Sequence, residues 1–443
     1  MIDNRFIKNY PFVICIILLA IHYLASYPGR MTGDSYHQFS QSISLVFDSH
    51  HPPIMAMLWS VFNYIYKGPQ TMLFLHLSMI WGSSLLLYQA DKNNKFRWLY
   101  FIIPFTPAIL TQSDMIWKDN GFTNSFLLVF AICTYYSYKP TRPNILILAT
   151  IFIICFYGEA IKFQAKFVTP VLLLFVTTLI TKSWLKRIII SIIFSTIIIG
   201  TNTAIIRHYS SDSHGEQIRQ IFDIAAIAVD IDDDSVFPDY VKEDPIYSFA
   251  KVKEAYTFKT VNYLYFVPET KIYNSTLDED KLAALNTAFY HAVLSHPIAY
   301  LKHRTLNFLG TQGSTAFEKY NKSAYNPLLP IEDIHQHHRF EKNYLQELFI
   351  EYLIAAPAFL MQNILTLILL IIIIGFLLFK FKNQNREYSI LSYMVALSMV
   401  FSLTIFLTTM ASDHRYYLFV RTLVFFTMPI FLKFILFKNK DNA

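Results

Sequence analysis

The sequence is poor in charged residues. Only 15% of its 443 residues are Asp, Glu, Lys or Arg, whereas 54% are hydrophobic and 17% are aromatic. Soluble globular domains carry about 25% charged residues, so this composition excludes that class of protein. We therefore expect an all-α polytopic membrane protein, in which each crossing helix uses about 20 mostly apolar residues.

Cysteine is also scarce, with three residues in the whole chain. Cys15, Cys133 and Cys155 all lie inside apolar runs and show neither a CxxC motif nor a spacing with histidine. This pattern excludes a disulfide framework and gives no indication of a thiolate metal site.

Eleven apolar runs follow one another along the chain, and one of them is too short to cross. The run 54–66 follows Pro52 and Pro53, and 13 helical residues extend only about 20 Å, short of a hydrocarbon core of about 30 Å. We predict that it lies in the membrane interface. The other ten runs are 11–27, 70–89, 98–112, 122–138, 144–158, 167–181, 188–206, 353–379, 388–411 and 418–437.

Ten spans with a cytoplasmic N-terminus agree with the positive-inside rule. An uncleaved signal anchor, with Arg5 and Lys8 before the first run, would start this topology. The basic segments 90–97, 139–143, 182–187, 380–387 and 438–443 then all lie inside, and the segments 28–69, 113–120, 159–166, 207–350 and 412–417 lie outside. Residues 207–347 hold 14 basic and 20 acidic residues, so the positive charge is concentrated in the rest of the chain.

This topology divides the chain into three parts. Residues 1–206 form an N-terminal transmembrane module of seven spans, with a functional first external loop at 28–69. Residues 207–350 form an external segment, and residues 351–443 form a C-terminal module of three spans. Within the external segment, apolar spacing predicts a helix at 214–230 and a second helix at 278–310 that is interrupted at Pro297.

Two polar runs in the external segment raise the question of a metal ion. The acidic run 230–234 lacks the glycine and the terminal glutamate of a calcium-binding EF-hand loop, so it is interpreted as a solvated acidic face. The imidazoles of His335, His337 and His338 suit zinc, but no separated further ligand accompanies them. No metal site is assigned, and a divalent metal cofactor is left open.

Candidate site residues gather on the external loops. Several of them also have a purely structural interpretation. Asp34 could be the N-cap of a helix at 35–47, and Lys118 with Asp119 could be a local ion pair. Trp117 and the Arg415 region could form an interfacial belt, and the Arg304 side chain could reach the lipid headgroups. The candidates are Asp34, His50 and His51 on the first loop; Asp114, Lys118 and Asp119 on the second; Glu159 and Lys162 on the third; Arg304 in the external segment; and Asp413, His414 and Arg415 on the last.

Acids and cations together suit transfer of a sugar from a lipid phosphate. A carboxylate accepts the proton of the attacking hydroxyl as general base. Arg or Lys stabilises the negative charge that develops on the leaving phosphate. The partners would be a polyprenyl-phosphate sugar donor, a glycan or lipid-linked acceptor and the lipid bilayer, and no nucleic acid is expected.

The same residues carry a resemblance. The start of the chain resembles the GT-C fold of integral membrane glycosyltransferases. The resemblance consists of one span, an external loop with an early acid (Asp34), the segment His51-Pro52-Pro53 before a juxtamembrane helix, and a second-loop acid (Asp114 or Asp119). Protein O-mannosyltransferases and aminoarabinose-to-lipid-A transferases have this fold. The resemblance implies that the first-loop acid lies at the catalytic centre and that the second-loop acid lies opposite.

The hypothesis from sequence is an inverting GT-C-type glycosyltransferase of a bacterial cytoplasmic membrane, with its site facing outward. Asp34 would be the base, Asp114 or Asp119 would position a substrate, and Lys118, Lys162 and Arg415 would bind phosphate. A flippase for lipid-linked oligosaccharides and a non-catalytic envelope-assembly protein are the alternatives. A transporter is expected to carry ionisable residues inside its spans, whereas here they gather on the loops.

The topology can be tested with reporter fusions at residues 68 and 94. Because 54–66 is expected not to cross, a fusion at 68 should report an external position and a fusion at 94 a cytoplasmic one. The opposite result at both positions contradicts ten spans.

Overall fold

Helices make up most of the protein. The computed structural model describes residues 4–313, 343–380 and 385–436. It is 74% helix and 2% strand, so the protein is all-α. Within the described ranges, four helices are long and apolar enough to cross a membrane: Gln70–Ala90, Trp184–Tyr209, Arg386–Thr408 and His414–Leu436. They confirm the expectation of a helical membrane protein.

The N-terminal part contains ten helices before the external segment. Helix α7 lies at the centre of its packing, against α4 and α8. The helices are α1 (Asn4–Ser26), α2 (Gly33–Ser44), α3 (Ile54–Asn63), α4 (Gln70–Ala90), α5 (Leu99–Ile102), α6 (Pro107–Ser113), α7 (Lys118–Ser137), α8 (Ile145–Ala160), α9 (Ala165–Thr177) and α10 (Trp184–Tyr209).

The helices between residues 216 and 312 fold around a hydrophobic cluster of their own. Ile221 and Phe222 pack there against Leu285 and Phe289. The predicted helices at 214–230 and 278–310, with the break at Pro297, are confirmed as α11, α15 and α16. The segment contains α11 (Glu216–Ile231), α12 (Asp239–Lys242), α13 (Phe249–Ala255), α14 (Asn262–Tyr265), α15 (Glu279–Ser295) and α16 (Pro297–Gln312).

The C-terminal part returns to apolar helices. It comprises α17 (Tyr344–Ala355), α18 (Asn363–Phe379), α19 (Arg386–Thr408) and α20 (Leu418–Leu436). A short 3₁₀ helix, His414–Tyr417, precedes α20. Helix α20 packs on α19 and on α7, so this part shares one hydrophobic core with the N-terminal helices.

Two of the expected spans are not single helices. The run 98–112 is divided into α5, a 3₁₀ turn at Ile103–Phe105 and α6, and the run 353–379 is divided between α17, a 3₁₀ turn at Ala358–Met361 and α18. The predictions of continuous helices there were wrong. Pro104, Pro107 and Pro357 stand at these breaks, and proline lacks the N–H that a helix interior requires.

The first external loop is fixed to two other parts of the chain. Arg30 pairs with Met115 in a parallel backbone bridge, in which the Ile116 amide donates to the Arg30 carbonyl at 2.9 Å. Further on, β1 (Phe47–Asp48) pairs in parallel with β2 (Ser210–Ser211), just beyond α10. Both ends of the segment that carries Asp34 are therefore held by backbone hydrogen bonds.

Buried hydrogen bonds from α16 to Thr409 join the helices α11–α16 to the apolar helices. Arg304 on α16 is fully buried and pairs with Asp223 on α11. Its other nitrogen donates to the Thr409 carbonyl at 2.6 Å, directly after α19. Asn307 accepts from the Thr409 hydroxyl at 2.8 Å. These bonds hold the start of the loop 409–417 against α16.

Removal of Arg304 should destabilise the protein strongly. Arg304→Met leaves the Asp223 carboxylate buried without its cation, which costs on the order of 3–5 kcal/mol. Lys302→Met is the matched control, because Lys302 is 62% exposed and its pair with Asp230 is of the surface type worth about 1 kcal/mol or less. Thermal melting of the purified variants in detergent should show a large fall for Arg304→Met only. Equal melting temperatures would contradict this role.

Candidate functional site

Charged side chains from four separate segments converge at one place. The first loop supplies Asp34 and His51, and the start of α7 supplies Lys118 and Asp119. Lys162 comes from the turn between α8 and α9, and Asp413 and Arg415 come from the loop before α20. We call these seven residues the acid–base cluster.

Asp34 lies in the first turn of α2, whose N-cap residue is Thr32. The alternative role of Asp34 as the N-cap of a helix at 35–47 is therefore wrong. Its side chain is one-third exposed and pairs with Arg415, with 2.7 Å between Asp34 Oδ2 and Arg415 Nη1. The negative carboxylate also benefits from its position near the N-terminus of a helix.

Arg415 is the centre of the cluster. Its Nε lies 2.9 Å from Asp413 Oδ2, so one guanidinium serves two carboxylates. The guanidinium carbon lies 5.0 Å from the centre of the Trp117 ring, which provides a cation–π contact. Trp117 is only 4% exposed and donates from Nε1 to the Thr32 hydroxyl at 2.8 Å. The ring predicted to anchor in the interface instead supports Arg415.

His51 connects Asp34 to Lys118. The Lys118 ammonium donates to His51 Nδ1 at 2.6 Å, and since an ammonium only donates, Nδ1 carries no proton. The neutral ring therefore has its proton on Nε2, which lies 3.9 Å from Asp34 Oδ1. His51 is buried, so Lys118, His51 and Asp34 form a row that ends at the one-third exposed carboxylate of Asp34.

Asp119 and Lys162 form a second, fully buried pair in the cluster. Each side chain is 4% exposed, and Lys162 Nζ lies 5.7 Å from the ring centre of Tyr416, the neighbour of Arg415. The charge on Arg415 also acts on Asp119. This second-loop acid is thus close to the other members of the cluster.

Asp114 has a different partner. Its carboxylate forms a two-point ion pair with Arg30, in which Arg30 Nη2 donates to Oδ1 at 2.7 Å. Arg30 also donates to the Thr111 carbonyl at 2.9 Å. Since these bonds accompany the backbone bridge at residue 115, Asp114 fixes the first loop to the second. Of the two acids left open by the sequence, the structure brings Asp119 into the cluster.

Other candidates lie beside the cluster or away from it. The His50 ring is 4.8 Å from the His51 ring, centre to centre. The Glu159 carboxyl is buried near the C-terminal end of α8, and Arg304 is buried with Asp223. His414 lies 3.1 Å from Arg421 inside the helices. Arg304 therefore belongs to a separate ion pair, and Glu159 and His414 are not among the seven residues of the acid–base cluster.

Burial and the neighbouring charges determine which groups of the cluster are protonated. Burial alone would raise the pKa of Asp34, but the charges of Arg415 and Lys118 outweigh it and hold that pKa well below its usual range. Burial and the Lys118 charge lower the pKa of His51. Burial raises the pKa of Asp413. At neutral pH, Asp34 is therefore a carboxylate and His51 a neutral imidazole.

The cluster consists of carboxylates paired with cations and does not have the donor set of a metal centre. In residues 4–313, 343–380 and 385–436, no group of three or more His, Cys, Asp or Glu side chains could hold a metal ion. The histidines at 335–338 lie outside the described residues. The cysteines Cys15, Cys133 and Cys155 are buried and unpaired with one another.

Two roles were not foreseen from the sequence. Arg30 was not singled out, although its pair with Asp114 positions the loop, and Asp413 was named without a role. A signal for Asp413 was present in the spacing Asp413-x-Arg415, which allows the carboxylate to accept from the Arg415 amide at 3.0 Å. No local pattern marked Arg30, because its partner is 84 residues away.

Comparison with protein-family models, with curated proteins and with solved structures gave no match for this chain.

Proposed function

We propose that this protein is an inverting glycosyltransferase with a GT-C-type fold of ten spans. It would lie in a bacterial cytoplasmic membrane with the acid–base cluster facing outward. It would take a sugar from a polyprenyl-phosphate donor and transfer it to a hydroxyl group of a cell-surface glycan or of its lipid-linked precursor. The observation that carries the proposal is the Asp34 carboxylate, one-third exposed and held between Arg415 and the His51–Lys118 pair.

Asp34 is the proposed general base. Its carboxylate is the most exposed acid among those paired in the cluster, with 34% of its side chain accessible against 25% for Asp413 and 4% for Asp119. An acceptor hydroxyl could reach it, whereas Asp119 is closed off by Lys162. Asp119 then has a positioning role, because its charge keeps Lys162 beside Tyr416.

Arg415 and Lys118 are the proposed phosphate ligands. The leaving phosphate gains negative charge as the glycosidic bond breaks, so cations aimed at it stabilise the transition state more than the ground state. Arg415 is held on the Trp117 ring and by Asp413, which fixes the direction of its guanidinium. Lys162 would add positive charge from the buried side.

A change of the ion-pair partner of Arg415 would link binding of the donor phosphate to the basicity of Asp34. In the free protein, Arg415 keeps the pKa of Asp34 low, and a carboxylate with a low pKa is a weak base. A phosphate that engages Arg415 would compete with Asp34 for the guanidinium. Asp34 would then become more basic when the donor is bound, and would be ready for the acceptor hydroxyl.

The placement in the membrane is supported at both ends of the helices. Near the acid–base cluster, α3 buries Trp59 and exposes Val61, and Tyr64 and Ile65 directly after it are also exposed, as suits a short helix in the interface. At the other end, Lys433 pairs with Asp91 and with Glu387. The flippase alternative is less well supported because the acid–base cluster lies at helix ends and loops.

The base can be tested with purified variants and a panel of polyprenyl-phosphate monosaccharides. Asp34→Asn should reduce sugar transfer to a hydroxyl acceptor by about 10²–10⁴-fold, the usual contribution of a general base. Asp48→Asn is the matched control, because Asp48 is a half-buried first-loop acid that pairs with His37 outside the cluster. It should retain wild-type activity.

The same panel separates the alternatives. Transfer by Asp34→Asn at the wild-type rate contradicts the role of Asp34. Absence of transfer by the wild-type protein with every donor, together with movement of a lipid-linked oligosaccharide across vesicles, supports a flippase and contradicts the enzyme. Full envelope function in a variant with alanine at Asp34, Asp119 and Arg415 supports a non-catalytic scaffold.

A further inference from the structure

An apolar cleft lies between α8, α9 and α10, away from the acid–base cluster. Its volume is about 330 Å³, and eleven of its twelve lining residues are apolar. Ile145 and Phe152 line it from α8, Ile180 from beyond the end of α9, and Ile190 and Phe194 from α10. From Ile145 to Phe152 it extends along about two turns of helix, or roughly 10 Å.

The cleft is open to the surroundings of the helices. Ile145 is 76% exposed and Phe194 is 40% exposed, although both line it. Only 22% of the apolar window of α10 is buried in the protein, the lowest share among the four candidate spans. Its outer face therefore contacts lipid, and an alkyl chain can enter the cleft from the bilayer.

Basic residues surround one end of this cleft. Arg142 donates to the carbonyl of Ile180 at 3.1 Å, and Arg187 donates to that of Thr181 at 2.8 Å. Lys186 lies four residues before the lining residue Ile190, which places both on the same face of α10. Lys182 is exposed two residues after Ile180.

No acid offsets this charge within the two loops. Segments 139–143 and 182–187 contain five Lys or Arg and no Asp or Glu. The ammonium groups of Lys182 and Lys186 are exposed and therefore accessible to an anionic headgroup. The combination of an apolar cleft with a basic rim matches a molecule that has an alkyl chain and an anionic head.

We propose that this cleft binds an anionic glycerophospholipid of the cytoplasmic leaflet. One acyl chain would lie between α8, α9 and α10, and the phosphate-bearing headgroup would contact Arg142, Lys182 and Lys186. Both loops belong to the cytoplasmic side of the ten-span topology, where anionic lipids attract basic residues near the membrane surface. The site is separate from the donor site and does not depend on the proposed transfer reaction.

Native mass spectrometry of the full chain tests this site with dioleoylphosphatidylglycerol and dioleoylphosphatidylcholine, which share acyl chains and differ in charge. The wild type should bind the anionic lipid more tightly. Lys182→Gln/Lys186→Gln should weaken that binding about tenfold or more, since each basic residue near the surface contributes about a factor of five. The matched control is Lys92→Gln/Lys95→Gln, which removes two charges from another basic loop and should bind like the wild type.

A second variant tests the cleft. Ala149 lines it and is exposed, so Ala149→Phe should fill it and weaken binding of both lipids at an unchanged melting temperature. Equal affinity of the wild type for the two lipids would overturn the anionic headgroup site. Equal binding by the two double variants would overturn the role of the rim. Unchanged binding by Ala149→Phe would overturn the place of the acyl chain.

Discussion

The candidate site depends on one guanidinium shared by two carboxylates. Arg415 joins Asp34 from the first loop to Asp413 from the last, and it rests on Trp117 from the second. Three segments that are far apart in the chain therefore meet at one side chain. Charges at the edge of an apolar bundle are costly unless they are paired, so the pairing determines where each loop can lie.

The rest of the architecture serves to hold these loops. Arg30 and Asp114 lock the first loop to the second, and Arg304 with Asp223 holds the start of the last loop against the external segment. Each pair holds one of the loops that supply the acid–base cluster. They leave Asp34 as the exposed carboxylate of an otherwise enclosed group, which is the arrangement that a base for an incoming hydroxyl requires.

Much of the fold could be predicted from local pattern. The apolar runs indicated a helical membrane protein, and helical spacing with a proline break located α11, α15 and α16. The predictions of continuous helices at 98–112 and 353–379 were wrong, because hydrophobicity alone does not show that Pro104, Pro107 and Pro357 lack a backbone N–H. In the site, residue type and position on external loops were enough to select Asp34, Lys118, Lys162 and Arg415.

The partners in the ion pairs could not be predicted in the same way. Whether Asp114 or Asp119 belongs with Asp34 depends on Arg30, whose partner is set by the tertiary fold and not by neighbouring residues. Trp117 shows the same limit, since an aromatic residue at a helix end fits an interfacial anchor as well as a support for a cation. The family resemblance supplied the expected reaction, and the geometry of the cluster supplies the physical reason that these residues could perform it.

The most direct measurement is a cryo-electron microscopy structure of the full chain with a polyprenyl phosphate bound. We expect the phosphate to lie against Arg415 and Lys118, the Asp34–Arg415 distance to increase from its present 2.7 Å, and Asp34 to face the open space beside the phosphate. A phosphate bound elsewhere, with the Asp34–Arg415 pair intact, would contradict it.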